Sequence, residues 1–248
     1  MQAGTPPLHV VEIVRRLEQG VTRPFLVRTE DDVFYVAKGR NLPPRERMAE
    51  WLAASLAQAA GLPIPDFTLL DVPQELIDLY GGDGNELGSG LVFGSRLEAS
   101  AQEFSVSDLA AVPAQLARKA FAFDWWICNA DRSLTERGGN PNLLWLPTEK
   151  RVVLIDHNLA FDLHFNAGQF LEVHAFRQRA PEVFDDLVNK AEITLALDAA
   201  LTGFDAAVAA IPAAWGYFDA ECTLPAGVEW TTVKARLAER VSLSPDWL

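Results

Sequence analysis

Short apolar runs alternate along the chain with stretches in which apolar residues recur at helical spacing. Residues 25–29 and 33–38 place alternating apolar positions on either side of Glu30-Asp31-Asp32, which predicts a β-hairpin with an acidic turn. Before it, Val10, Val11, Ile13, Val14 and Leu17 predict a short helix, or a strand turning into one, ahead of Gly20. Met48, Trp51, Leu52, Leu56 and Ala59 mark a helix over 46–60 that stops at Gly61 and Pro63. Strands are expected at 67–72 and 91–93, and the Gly, Asp and Glu of 73–90 predict a mobile excursion between them. Ser107 or Asp108 is the expected cap of the next segment, and a strongly apolar helix follows Pro113 over 114–128. A second hairpin is expected from the runs 143–146 and 152–155 around Pro147-Thr148-Glu149-Lys150, then helices over 184–201, 203–211 and 230–241. Phe121, Phe123, Trp125 and Trp126 read as core packing, as do Trp215 and Trp230.

The polar residues that interrupt this pattern gather between 124 and 161. Asp124 to Cys128 is an aromatic run with one carboxylate, and it ends at Asn129-Ala130-Asp131-Arg132, so a buried element delivers Asp131 to a loop. Asn142 enters the first strand of the second hairpin and Asp156 leaves its second. Antiparallel pairing puts both at one end of the hairpin, near Asp131. Two carboxylates and a carboxamide that converge suit a hard cation such as Mg2+, which takes oxygen ligands and keeps sites for water and phosphate.

Charge and composition narrow the partners. The formal net charge of −13 over 248 residues argues against direct nucleic-acid binding, since phosphate backbones are held by Lys and Arg. It does not oppose ATP, which needs only a few local cations and a metal. No apolar stretch is long enough to cross a bilayer, and the start lacks the features of a secretory signal, so a cytoplasmic protein with no membrane partner is expected. Cys128 and Cys222 are too few for a disulfide framework, and His157, His164 and His174 do not have zinc-motif spacing.

Asn129-Ala130-Asp131-Arg132, Asn140-Pro141-Asn142-Leu143-Leu144 and the run Leu154-Ile155-Asp156-His157-Asn158-Leu159-Ala160-Phe161, in this order, resemble the catalytic core of HipA-like kinases. The helix, the Gly61-Leu62-Pro63-Ile64-Pro65 turn and the strand after it resemble the same part of that family. The resemblance implies an α+β, two-lobed protein-kinase-like fold. Residues 1–98 would form a small β-rich nucleotide-binding lobe with one main helix, and 99–248 a mostly helical lobe with the catalytic loop and metal site. It implies ATP and Mg2+ as cofactors, Asp131 as the catalytic aspartate, Asn142 and Asp156 as metal ligands, and Lys38 on the nucleotide phosphates, held by Glu50. Arg132 would steady the loop or the transferring group. Thr22 and Arg23 would face the phosphates, while Phe93 and Gly94 would lead into the adenine hinge.

Departures from the kinase pattern are specific. The interval from Asp131 to Asn142 is long, which leaves Asn140 as a rival metal ligand; the phosphate loop has one glycine, Gly20; the metal aspartate is followed by His157-Asn158; and no A-P-E segment follows Phe161. The function implied is transfer of a phosphoryl group to Ser or Thr hydroxyls of a protein. Two alternatives stand beside it: a kinase-shaped module that binds nucleotide or protein without turnover, and a small-molecule kinase. The acceptor and any regulatory protein partner are not named by the sequence.

Overall fold

The computed structural model describes residues 6–18 and 22–245, which fold into two compact units. Neither is one stretch of chain. The first takes the residues up to Trp51, then Pro65–Ala99 and Ala210–Val228; the second takes Leu52–Ile64, Ser100–Ala209 and the residues from Glu229 onward. Among the described residues no helix is long and apolar enough to cross a membrane.

In the first unit, strands β1 (Leu8–Arg16), β2 (Phe25–Thr29), β3 (Phe34–Lys38), β4 (Phe67–Val72) and β5 (Gly90–Arg96) close into a barrel in the order β1-β2-β3-β5-β4. All neighbours are antiparallel except β1 and β4, which run parallel and seal it. Val10, Ile13, Phe25, Val27, Tyr35, Leu70, Val72 and Val92 fill the interior. The expected helix near the start is therefore a strand. Register shifts between Val10 and Glu12 and between Ile13 and Arg15 bulge β1, so its buried residues Val10 and Ile13 fall three apart and imitate a helical period.

Helix α1 (Pro44–Ala59) follows β3. The excursion expected over 73–90 is ordered as α2 (Gln74–Tyr80) and α3 (Gly84–Leu87). Ile77 and Leu87 anchor these turns in the barrel core, and Arg16 holds Asp83 at 2.6 Å and pairs with Glu86. Two buried side chains in a polar segment suffice to order it.

The second unit is built on α4 (Ala114–Trp126), whose Phe121, Phe123, Trp125 and Trp126 are wholly buried. A small sheet pairs β6 (Gln102–Glu103) with β7 (Leu143–Leu146) and β7 with β8 (Arg151–Leu154). The other helices of this part of the chain are α5 (Ala167–Val173), α6 (Ala180–Phe184), α7 (Leu187–Leu201), α8 (Phe204–Ala209) and α9 (Trp230–Arg240), of which α6 and α7 pack on α4. Phe165, Phe170 and Phe184 meet Trp125 edge-on at centroid distances of 5.6, 5.5 and 5.2 Å. The single helix expected over 184–201 breaks at Asp185-Asp186, because Asp186 caps α7 by accepting from Val188 and Asn189 N–H. Ser105, rather than Ser107 or Asp108, caps the short 3-10 turn Val106–Ala111, and Asp108 returns the bond to Ser105 N–H.

Candidate active site

Helix α4 fixes the site of the second unit from below. Asp124 is wholly buried near its end, and a charge placed there must be matched by partners. Asn129 Nδ2 donates to its Oδ1 at 2.8 Å, while Arg132 Nε and His174 Nε2 donate to its Oδ2 at 2.7 and 3.0 Å. Phe176 N–H donates to His174 Nδ1 at 3.1 Å, so the ring proton sits on Nε2, facing Asp124. Burial pulls the Asp124 carboxyl upward, but Arg132 and then His174 outweigh it and hold the group well below the usual carboxylate range. Burial pushes His174 down against the pull of Asp124, so the ring is neutral.

Both shifts make this fold acid-sensitive. A histidine and a carboxyl that are each depressed in the folded chain contribute stability that is present above their unfolded values and lost as pH falls. The loss begins near the ordinary histidine value of about 6.5 and continues below about 4 as the carboxyl titrates. The denaturant midpoint is expected to drop between about pH 7 and about pH 5, and His174→Gln to shrink that drop. A fall of equal size in the variant would show that His174 has no part in it.

Arg132 carries the network onward. Its Nη1 donates to Asn142 O and, at 3.4 Å, to Ile155 O, and its Nη2 donates to His157 Nε2 at 3.0 Å. One guanidinium thus ties the end of α4 to the residue that enters β7 and to the residue before Asp156. Arg132 is wholly buried, and its bonds to Asp124, Asn142 and His157 hold the loop that carries Asp131.

On this support, Asp131 Oδ2 accepts Asn142 Nδ2 at 2.7 Å and Asn140 Nδ2 at 2.9 Å. Ile155 N–H donates to Asn142 O at 3.0 Å, which extends the β7–β8 ladder by one step and sets Asn142 and Asp156 at the same end of the hairpin. Burial pushes the Asp131 carboxyl up, the Asn142 bond opposes it, and the Asp156 charge adds to the rise. Asn142 and Asp156 both have left-handed backbone, with φ of 46° and 57°, a region that Asn and Asp tolerate better than most side chains. Asn142 is buried and Asn140 exposed.

The long interval between Asp131 and Asn142 does not separate them. Ser133 N–H bonds both Asp131 O and Asn140 O at 2.8 Å, and Thr135 and Gly138 pair with each other at 3.0 Å, so the added residues form a closed side turn. Leu134 N–H to Val173 O at 2.9 Å and Ala175 N–H to Arg132 O at 3.0 Å pin that turn to the chain around His174. Gly139 is required there: at φ 153°, a Cβ would lie 2.4 Å from Ser133 O.

In the first unit, Lys38 closes β3 with its Nζ 3.2 Å from Glu50 Oε1 on α1, and both side chains are buried. Gly20 and Val21 of the expected phosphate loop lie outside the described residues. Thr22 O accepts Asn41 Nδ2 at 2.9 Å and Arg23 O accepts Arg16 Nε at 3.1 Å, which fixes the backbone leading into β2 and leaves the Arg23 side chain exposed. Phe93 and Gly94 do not end their strand, which runs on to Arg96. They sit mid-strand in β5, where Phe93 is registered with Lys38 and Leu69, and Gly94 with Ala37 and Thr68, so their backbone is enclosed by β3 and β4. Gly94 serves packing, because a Cβ there would meet the Leu70 side chain at 2.5 Å.

HipA-like kinase is the family whose pattern this sequence matches, over residues 10–244. The chain belongs to the HipA-like kinases. No curated protein matches it. Among solved structures, the proinflammatory kinase CtkA of Helicobacter pylori has a similar fold, with a TM-score of 0.59 and 10% identity over 97% of this chain and 96% of that one. The fold is α+β with a kinase-like neighbour. The family match spans Asp131, Asn142 and Asp156 as well as Lys38 and Glu50. The sequence showed Asp124 and His174 but not that they pair, and it gave neither a place in the site. The available signal was a lone carboxylate inside an apolar run, which has to be paired wherever it is buried.

Proposed function

We propose that this HipA-like kinase transfers the γ-phosphoryl group of ATP, with Mg2+, to a Ser or Thr hydroxyl of a protein. The observation that carries the reading is the convergence of Asn142 on Asp131, with Asp156 near enough to shift its titration, on a support wholly buried and hydrogen-bonded through Arg132. The barrel unit binds the nucleotide and the helical unit holds the catalytic loop and the metal site.

The donor set fits a hard cation. Asn142 gives its amide hydrogen to Asp131, which leaves Oδ1 for a cation, and Asp156 supplies a carboxylate. Among the described residues no cluster of three or more His, Cys, Asp or Glu side chains stands ready for a metal, so in this reading nucleotide phosphates and water complete the shell. Bound there, Mg2+ would neutralise charge on the phosphates. Asn140 is left to orient Asp131.

Asp131 Oδ2 is engaged by the two asparagines, and Oδ1 faces the acceptor. As the acceptor oxygen bonds to the γ-phosphorus and the bond to ADP breaks, the hydroxyl proton passes to Oδ1. Phosphoryl transfer asks the protein mainly for position and charge, and a carboxylate held by two amides supplies the first. Lys38, turned by Glu50, holds the α and β phosphates, and Thr22 and Arg23 offer a hydroxyl and a cation at the loop before β2.

Lys38→Met is expected to weaken binding of an ATP analogue at least about tenfold, since it removes a charge-assisted contact and leaves Glu50 without its lysine. Calorimetric titration checks this, and unchanged affinity would remove Lys38 from the site. The reading itself is tested by incubating the chain with labelled ATP and Mg2+. Label on the chain or on a Ser- or Thr-containing protein supports it, whereas nucleotide-dependent stabilisation with neither label nor ATP consumption would identify a binding module.

A further inference from the structure

The barrel unit contains a cavity of about 300 Å3, lined by Arg40, Arg47, Leu91, Trp215, Tyr217 and Phe218 among others. Arg47 is its unusual feature. The residue is 94% buried, from a relative exposure of 6%, and its Nε has no hydrogen-bond partner among the described residues. A buried guanidinium is ordinarily matched by a carboxylate, because removing the charge from water costs several kcal/mol. Here the neighbours are a ring and a second cation: the guanidinium lies 5.5 Å over Trp215, and Arg40 lines the same space. Burial, then Arg40, pushes the Arg47 guanidinium down to about 10, which leaves it charged at neutral pH.

The one carboxylate at the rim does not neutralise the pair. Asp219 accepts Thr223 N–H at 2.9 Å, Thr223 Oγ1 at 2.7 Å and Leu224 N–H at 2.7 Å, so it is committed to its own turn. Trp215 is itself fixed, with Nε1 donating to Leu91 O at 2.7 Å and its ring edge-on to Trp51. Two arginines and an apolar, aromatic lining in one cavity make a place for an anion carried on a ring.

We propose that this cavity is a binding site for a small organic oxyanion, with its phosphate or carboxylate between Arg47 and Arg40 and its apolar part on Trp215 and Phe218. The planar guanidinium fork matches two oxygens of such a group. The occupant supplies the partner that Arg47 lacks. Arg47 lies three residues before Glu50 on α1, so an occupant bears on the helix that holds Lys38. The inference stands without the phosphotransfer reading, since none of its lining residues takes part in that chemistry.

Calorimetric titration of the full chain, with no nucleotide or metal, tests it with phenyl phosphate, inorganic phosphate and benzamide as probes. Saturable one-to-one binding of phenyl phosphate is expected, with none for benzamide. Equal affinity for inorganic phosphate would assign the site to the free ion, and weaker affinity to an aryl-borne one. Arg47→Met should weaken phenyl phosphate at least about tenfold, while Lys38→Met retains it, which separates this site from the nucleotide phosphates. Arg47→Met should also fold as well as the parent, because it replaces an unmatched buried charge with an apolar chain of similar length. Should it fail to fold, Arg40→Gln, at the exposed cation, carries the same test with an expected loss of about threefold or more. Absence of saturable binding, binding untouched in both arginine variants, or equal binding of benzamide overturns the proposal.

Discussion

Asp131→Asn is expected to lower phosphoryl transfer by about 10²–10⁴-fold and to leave nucleotide affinity within about twofold of the parent. The substitution is close to isosteric, and its amide oxygen can still accept both Asn140 Nδ2 and Asn142 Nδ2. The change falls on the other side of the group, where a donor NH2 replaces the oxygen proposed to take the acceptor's proton. Initial rates with labelled ATP, set beside calorimetric titration of an ATP analogue, separate the two effects. Full turnover in the variant would remove Asp131 from the mechanism. Weakened nucleotide binding in proportion to lost rate would assign Asp131 to ligand binding instead.

Asp124→Ala is expected to destabilise the fold by about 3–5 kcal/mol, the range for removing one partner of a buried ion pair. Arg132 would be left charged and wholly buried, with the Asn129 amide and the His174 Nε2–H also unmatched. The cost lies mainly in the groups left behind. Replacing Arg132 with Leu in the same chain should therefore recover part of the lost stability, so that the double variant is more stable than the sum of the two single changes. Denaturant unfolding of the four proteins in that cycle measures it. Simple additivity would mean that Asp124 and Arg132 do not act as a pair.

These predictions rest on residues of unequal visibility in the sequence. Asp131 and Asp156 were legible because each follows an apolar run, and Asn142 because it opens one; strand pairing carries Asn142 and Asp156 to one hairpin end. Lys38 and Glu50 were legible from a strand end and a helix in succession. His174 was not, since its link to Asp124 spans 50 residues and no local period reports it. Asp124 left one trace, a carboxylate among aromatics, which implies a partner without naming it. In β1 the period itself misled, because bulges move the buried positions to a spacing of three. Gly94 misled in the opposite sense: a glycine taken as the end of a strand lies within it, where the Leu70 side chain leaves no room for a Cβ.

A crystal structure of the full chain with Mg2+ and a non-hydrolysable ATP analogue tests the central claim most directly. The account predicts a cation about 2.1 Å from both Asn142 Oδ1 and an Asp156 oxygen, shared with the nucleotide phosphates, with Asp131 Oδ1 open toward the γ-phosphate and Lys38 Nζ on the α and β phosphates. Nucleotide seated away from Lys38, or a cation held without Asn142 and Asp156, would contradict it.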